Sequence, residues 1–385
     1  MIKKSLVLVA ATFLLSGCTV TLPFGTPVST GPVDPTDIFN KKVQAGSVWK
    51  STDDGQTFEV KSRVDEKQSI TKADVLALSF HPTDPNTLYI GTVDHGIFKT
   101  TDAGETWSQI VFPPKKIYSF ILDRNQPDTR MFASGSLDKL GKIFRTEDGG
   151  TTWRAVYTEP GQDVVITGLA QHPRDMNVIF AGTSAGTVVK STDGGETWRN
   201  VGGTLDGPIT DIAFDATAPL SVYAFSFNSK VYYSADGGVT WLDWEKVKAE
   251  EPAQHPGLNL TPEEQKKQQE SIMPTGLLSI TVDPSVSGRI YGSRIGGLYR
   301  SNSFGKYWEK INIIESAEKF PVRAVAVNPQ DSNEVVFAAG SAFYKSKNAG
   351  ETWAIVDLYI DRGVSVLAFD PTDSQTLYMA LRKFK

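Results

Sequence analysis

An eight-residue pattern, Ser/Thr-x-Asp-x-Gly-x-Thr-Trp, recurs along the chain and constrains its fold more than any other feature. It is near-intact at Thr100–Trp107, Thr146–Trp153, Ser191–Trp198 and Ser234–Trp241. Ser51–Phe58 ends in Phe58, Ser346–Trp353 carries Asn348 for Asp, and Ser301–Trp308 has Ser303 and Tyr307 at the Asp and Thr positions. The aromatic ends at 58, 107, 153, 198, 241, 308 and 353 are separated by 49, 46, 45, 43, 67 and 45 residues. A period of this length is that of a β-propeller blade or a solenoid unit. Each motif follows a short alternating run, such as Gly96–Lys99 or Thr187–Lys190. Two more runs separate successive motifs, split by a Pro/Asp turn, as Val75–Phe80 and Thr87–Gly91 flank His81–Asn86. The reading is four strands per repeat.

The strand pairs fall near 75–91, 117–135, 165–182, 209–226, 277–292, 322–339 and 364–380. The chain opens with a motif hairpin that lacks its strand pair (47–60) and ends with a strand pair that lacks its hairpin (364–380). Joined, they complete a seventh unit, so the termini fasten a ring and leave no open sheet edge. The expectation is an all-β chain, a single seven-bladed β-propeller over 46–385. The 67-residue interval marks an insertion, 245–274, in which Thr261, Pro262 and Glu264 read as a helix start. The pattern resembles the Asp-box (BNR) repeat of sortilin-type ectodomains, photosystem II assembly/stability factors, sialidases and xyloglucanases. The resemblance implies the fold and leaves the function open.

The box acids Asp53, Asp102, Asp148, Asp193 and Asp236, with Asn348, read as turn residues rather than catalytic or calcium ligands. Each box supplies one or two carboxylates, fewer than a calcium loop needs. Asp accepts backbone N–H groups, and Gly takes positive φ. Trp107, Trp153, Trp198, Trp241, Trp308 and Trp353 are expected between blades, each contributing about 4–6 kcal/mol as an upper bound. The resemblance puts these turns on the face opposite most ligand sites.

The other face receives Asp94, His95, Lys115, Lys116, Asp138, Lys139, Arg294, Asp361, Arg362 and the insertion. Aligning the innermost strands gives two columns of mostly small residues, in which Asp211 is the one ionisable group; Tyr118 and Arg323 stand one position earlier. Tyr118, Asp211, Arg323, Lys139 and Arg294 are therefore the candidate binding residues. Arg323, Asp211 and Tyr118 either gather near a channel mouth, or Arg323 and Asp211 form a plain ion pair.

The single Cys, Cys18, excludes internal disulfides and Cys-built metal sites, and four dispersed His residues argue against a His-built one. No metal and no cofactor are expected. Lys3 and Lys4 precede an apolar run, Leu6–Leu15, too short for a typical membrane span. Leu15-Ser16-Gly17-Cys18 resembles the lipobox of bacterial lipoproteins, which implies a signal peptide over 1–17 and lipid on Cys18. Residues 18–45, with Pro23, Pro27, Pro32 and Pro35, read as a flexible tether. The formal charge of −5 becomes −7 once Lys3 and Lys4 are removed, which disfavours nucleic-acid binding.

The expected product is an extracytoplasmic, lipid-anchored monomer, at the outer membrane if there are two membranes and on the outer face of the cell membrane if there is one. It is expected to be a protein- or peptide-binding platform in the envelope, not an enzyme. A surface glycan-binding propeller and a glycoside hydrolase are the alternatives. The nearest match to a sialidase motif, Phe320-Pro-Val-Arg323, lacks the required order.

Overall fold

The computed structural model describes residues 42–114, 116–247, 274–314 and 319–384. Cys18, the signal peptide, most of the tether, Lys115 and the insertion's Thr261 helix lie outside the described residues. A compact unit runs from Val43 to Lys385. Among the described residues, 28 strands form seven four-stranded antiparallel sheets. Six sheets take four consecutive strands: 75–110, 119–158, 166–204, 209–243, 277–311 and 322–357, here blades I to VI. Blade VII combines Gly363–Phe369 and Leu377–Arg382 with Val48–Ser51 and Glu59–Val60. The closing register pairs Val48 with Ala380 and Ser51 with Leu377.

No blade has a core of its own. Seven buried hydrophobic clusters each combine residues of two neighbouring blades. Leu367 and Met379 of blade VII, for example, pack with Ala324 and Val336 of blade VI. A blade exposes both faces when alone, so the hydrophobic effect closes the ring rather than stabilising separate units.

The box turns are built from their own side chains. Asp193 accepts from the Thr197 N–H at 2.9 Å, the Thr197 hydroxyl at 2.5 Å and the Ser191 hydroxyl at 2.8 Å. Asn348 serves the same turn, its Oδ1 accepting the Thr352 N–H at 2.9 Å. In the divergent box, Ser303 Oγ accepts the Tyr307 N–H at 2.9 Å. Gly195 shows why the box requires glycine: its φ is 84°, and a Cβ there would lie 2.7 Å from the Phe132 ring of the preceding blade. Trp107 and Trp308 are buried, whereas Trp153, Trp198, Trp241 and Trp353 are half-buried. The full burial behind the upper bound given for every box Trp is thus reached at two.

In four blades the residue before the box clamps the ring laterally. Arg145, Lys190, Arg300 and Lys345 donate to the carbonyls of Gly194, Gly237, Ala349 and Asp54 in the next blade's box, at 2.7, 2.7, 2.8 and 2.9 Å. Blade IV has Tyr233 instead, and there the Trp244 indole donates to the Phe304 carbonyl at 2.9 Å. Trp244 opens a helix whose described residues are 244–247, where the chain leaves the blade for the insertion.

Candidate functional site

All seven innermost strands run the same way round the ring, so their starts share one face with the turns between second and third strands. Asp138 and Lys139 form such a turn, with φ of 55° and 62°, and Lys139 is exposed. Asp94 and His95 form another, with the carboxylate 2.5 Å from the imidazole. Six innermost strands carry a bulge near their start, at Leu76, Thr167, Thr210, Leu278, Arg323 and Ser365. A bulge inserts an unpaired residue and re-aims its side chain. In two blades that side chain ties the ring: Thr167 donates to the Ile209 carbonyl, and Ser365 donates to the Val75 carbonyl at 2.8 Å.

Arg323, Asp211 and Tyr118 are not brought together, nor do Arg323 and Asp211 pair. The Arg323 guanidinium lies over the Phe384 ring, 4.1 Å from its centroid, and Arg382 approaches the same ring at 5.5 Å. Tyr118 takes Lys116 over its ring at 4.5 Å. Arg294 turns back on itself, its Nε donating to the Ile295 carbonyl at 3.3 Å.

Asp211 is exposed on an innermost strand whose two faces are packed by other blades, so it faces the central channel. The side chain keeps contact with channel water, but the protein crowded round the channel disfavours its charged form and pushes its carboxyl up to about 6, opposed by the Ile212 N–H. The boxes shift the other way. The Thr152 N–H holds Asp148 at about 2, and the hydroxyls of Thr197 and Thr240 do the same for Asp193 and Asp236.

Stability should follow these opposite shifts. The box contribution is complete above the unfolded carboxyl value near 4 and is lost as pH falls towards 2. Asp211 is most favourable below 4 and carries its full cost above 6. Water in the channel reduces that cost to about 1–2 kcal/mol. Asp211→Asn should therefore raise the melting temperature at pH 8 and leave it unchanged at pH 4. Thermal melts from pH 2.5 to 8 read both effects, and equal gains at the two pH values would contradict the assignment.

The structure brings two arginines of distant sequence positions together. Arg323 and Arg382 share Phe384, whose ring covers Gly363 at the start of blade VII, 2.8 Å from where a Cβ would stand. Arg382 also lowers the basicity of Arg323, although burial does so more. Among the described residues, no carboxylate lies within 4 Å of Arg294, Arg323 or Arg382, whereas Lys230 on the same face meets Asp206 at 3.1 Å and Asp243 at 3.3 Å. Exposed apolar side chains accompany the arginines: Phe227, Leu278, Ile295 and Phe320. Arg362 does not belong to this open surface, because it is buried, whereas Asp361 beside it is exposed. Among the described residues, no three His, Cys, Asp or Glu groups converge to hold a metal, and no helix is long and apolar enough to cross a membrane.

Comparison with known proteins yields a match to the Sortilin-Vps10 family model (sortilin, neurotensin receptor 3) over residues 141–250. A curated relative, xyloglucanase Xgh74A of Acetivibrio thermocellus, is 26% identical over 276 residues, covering 57% of this chain and 32% of its own length. The chain thus spans about a third of that relative. The GH74 xyloglucanase structure from Xanthomonas campestris superposes with a TM-score of 0.60 at 18% identity, over 80% of this chain and 51% of that one. The structure of YCF48 bound to D1 peptide gives 0.57 at 17% identity, over 81% and 93%.

The xyloglucanase matches overturn the expectation that the chain is not an enzyme. Box spacing reports the scaffold, and one scaffold serves both enzymes and a peptide-bound protein. The chain is a seven-bladed propeller that resembles sortilin-type, YCF48 and GH74 propellers.

Proposed function

We propose that the propeller binds an extended, acidic and partly apolar peptide segment of an envelope protein on the face where its innermost strands begin. The observation that carries this reading is the Arg323–Arg382 pair over Phe384, without a carboxylate partner among the described residues and bordered by Phe320 and Ile295. Guanidinium groups bind carboxylates through paired, charge-assisted hydrogen bonds, and apolar neighbours add affinity. The peptide carried by YCF48 is a precedent on the same fold.

A library of peptides with free carboxyl termini, offered to the full chain, tests the proposal. Acidic sequences with apolar residues should be enriched. Arg323→Glu/Arg382→Glu should weaken their binding at least tenfold with little change in melting temperature. Equal enrichment by the variant would overturn the assignment.

The xyloglucanase relatives favour a second reading, in which the ligand is a β-glucan and the chain hydrolyses it. Xyloglucan oligosaccharides offered to the same chain distinguish the readings. Product release or saturable glycan binding, with no peptide enriched, would move the assignment to the glycan.

The lipobox-like Leu15-Ser16-Gly17-Cys18 supports attachment of this platform to a bacterial membrane through lipid on Cys18. Cys18→Ala should shift the chain out of the membrane fraction, and an unchanged distribution would exclude this anchor.

A further inference from the structure

The opposite mouth of the channel is built differently. Each innermost strand ends at a turn residue: His81, Asp123, His172, Asp215, Asp283, Asn328 or Asp370. These side chains serve the turns; His81 Nδ1 accepts the Asp84 N–H at 2.9 Å, and Asp123 accepts the Asn125 N–H at 2.8 Å. The next position is proline in five blades, alanine in blade IV, and Arg124 in blade II. One cation therefore interrupts an apolar ring. A cavity of about 430 Å³ lies beside it, lined by Ser79, Phe80, Pro82, Ile121, Arg124 and Pro371 among others. That volume falls within the usual range for small-molecule sites.

Arg124 has little to hold it in place. Its Nη1 reaches the Pro173 carbonyl at 3.5 Å, the long limit of a hydrogen bond, and among the described residues no carboxylate lies within 4 Å. Arg124 is exposed, although the protein around it depresses its basicity with no neighbouring charge compensating. A solvent-accessible guanidinium beside apolar walls is matched by an anion with an apolar body. Nearby Gln171 is already engaged, accepting the Arg124 N–H at 3.2 Å and donating to the Met176 carbonyl at 3.0 Å. A single guanidinium, with the Ser79 hydroxyl as the other polar side chain on the wall besides Gln171, suits a carboxylate better than a phosphate dianion.

We propose that this cavity binds a small amphipathic carboxylate, with Arg124 holding the carboxylate and Phe80, Ile121 and the proline rings covering its hydrocarbon chain. The site lies at the opposite end of the channel from the peptide face and rests on neither reading given for that face.

Calorimetric titration of the full chain with octanoate tests the assignment, with octanol as the uncharged probe. Octanoate should bind saturably, one per chain, with Kd below about 1 mM. Octanol should bind at least tenfold more weakly. Arg124→Gln should weaken octanoate at least tenfold with an unchanged melting temperature, and Arg124→Lys should recover part of the loss. Arg154→Gln, at an exposed arginine paired with Glu196, should leave the affinity unchanged. Absence of saturable binding, equal affinity in Arg124→Gln, or an equal loss in Arg154→Gln would each overturn the proposal.

Discussion

Arg362→Met should lower stability by about 3–5 kcal/mol, the scale for removing one partner from a buried, fully bonded charge. Only 2% of the Arg362 side chain is exposed. Its Nη1 donates to the Ala73 carbonyl at 2.8 Å, and its Nη2 donates to the carbonyls of Gly46 and Thr71 at 2.7 and 2.5 Å. Asp74 and Asp361 supply the charge, at 3.3 and 3.4 Å. These contacts tie the start of blade VII to the segment entering the closing strand and to the connection into blade I. Met retains much of the volume but leaves three carbonyls without this donor, each costing about 1–3 kcal/mol where water cannot replace it. Surface Arg154, 3.2 Å from Glu196 and 57% exposed, is the comparison. Arg154→Met should cost under about 1 kcal/mol. Denaturant titration of the two variants measures the difference. Equal losses would mean that strand pairing alone holds the ring.

The ring was legible because boxes and strand pairs can be counted separately, and both counts leave the same two halves at the termini. The box roles were legible too, since Asp, Gly and Thr at fixed offsets describe a turn that local hydrogen bonds can close. The candidate site was legible only in part. Asp211 faces the channel because small columns reveal innermost strands. Arg323 and Tyr118 escape the same logic. Alternation assumes two residues per pleat, and the bulge at Arg323 adds one, so its side chain turns to Phe384 instead of Asp211. Arg382 and Phe384 fall beyond the last recognisable repeat, and only the closed ring brings them beside blade VI. Arg124 had a visible signal, since it occupies a position that is proline in five other blades. Comparing turns as well as boxes would have found it.

The divergent box of blade V likewise makes sense only in three dimensions. With Tyr233 where other blades place Lys or Arg, the box carbonyl at Phe304 needs another donor. Trp244 provides it and stacks on Tyr233 at 5.9 Å, while Phe304 packs against Tyr233 at 5.0 Å. An aromatic cluster thus replaces a cation clamp where the insertion departs, and the Asp and Thr of the box are relaxed to Ser303 and Tyr307.

Trp107→Ala should cost about 3–5 kcal/mol, the range for deleting a buried aromatic side chain. Trp107 is 1% exposed, packs among Ile70, Ala73, Leu88 and Tyr378 where blades VII and I meet, and donates to the Lys61 carbonyl at 2.8 Å. Half-buried Trp198, whose indole donates to the Gly195 carbonyl within its own box at 3.2 Å, should cost about half as much when changed to Ala. The position of Trp107 makes a sharper test possible. Its neighbours Ile70 and Ala73 belong to the loop whose Thr71 and Ala73 carbonyls Arg362 holds. If this loop transmits closure, the two losses cannot be independent, because either change frees the same backbone. The double variant Trp107→Ala/Arg362→Met should therefore lose at least about 1 kcal/mol less than the sum of the single losses. Full additivity in a double-mutant cycle would separate the two contacts and leave the joint as two unconnected fastenings.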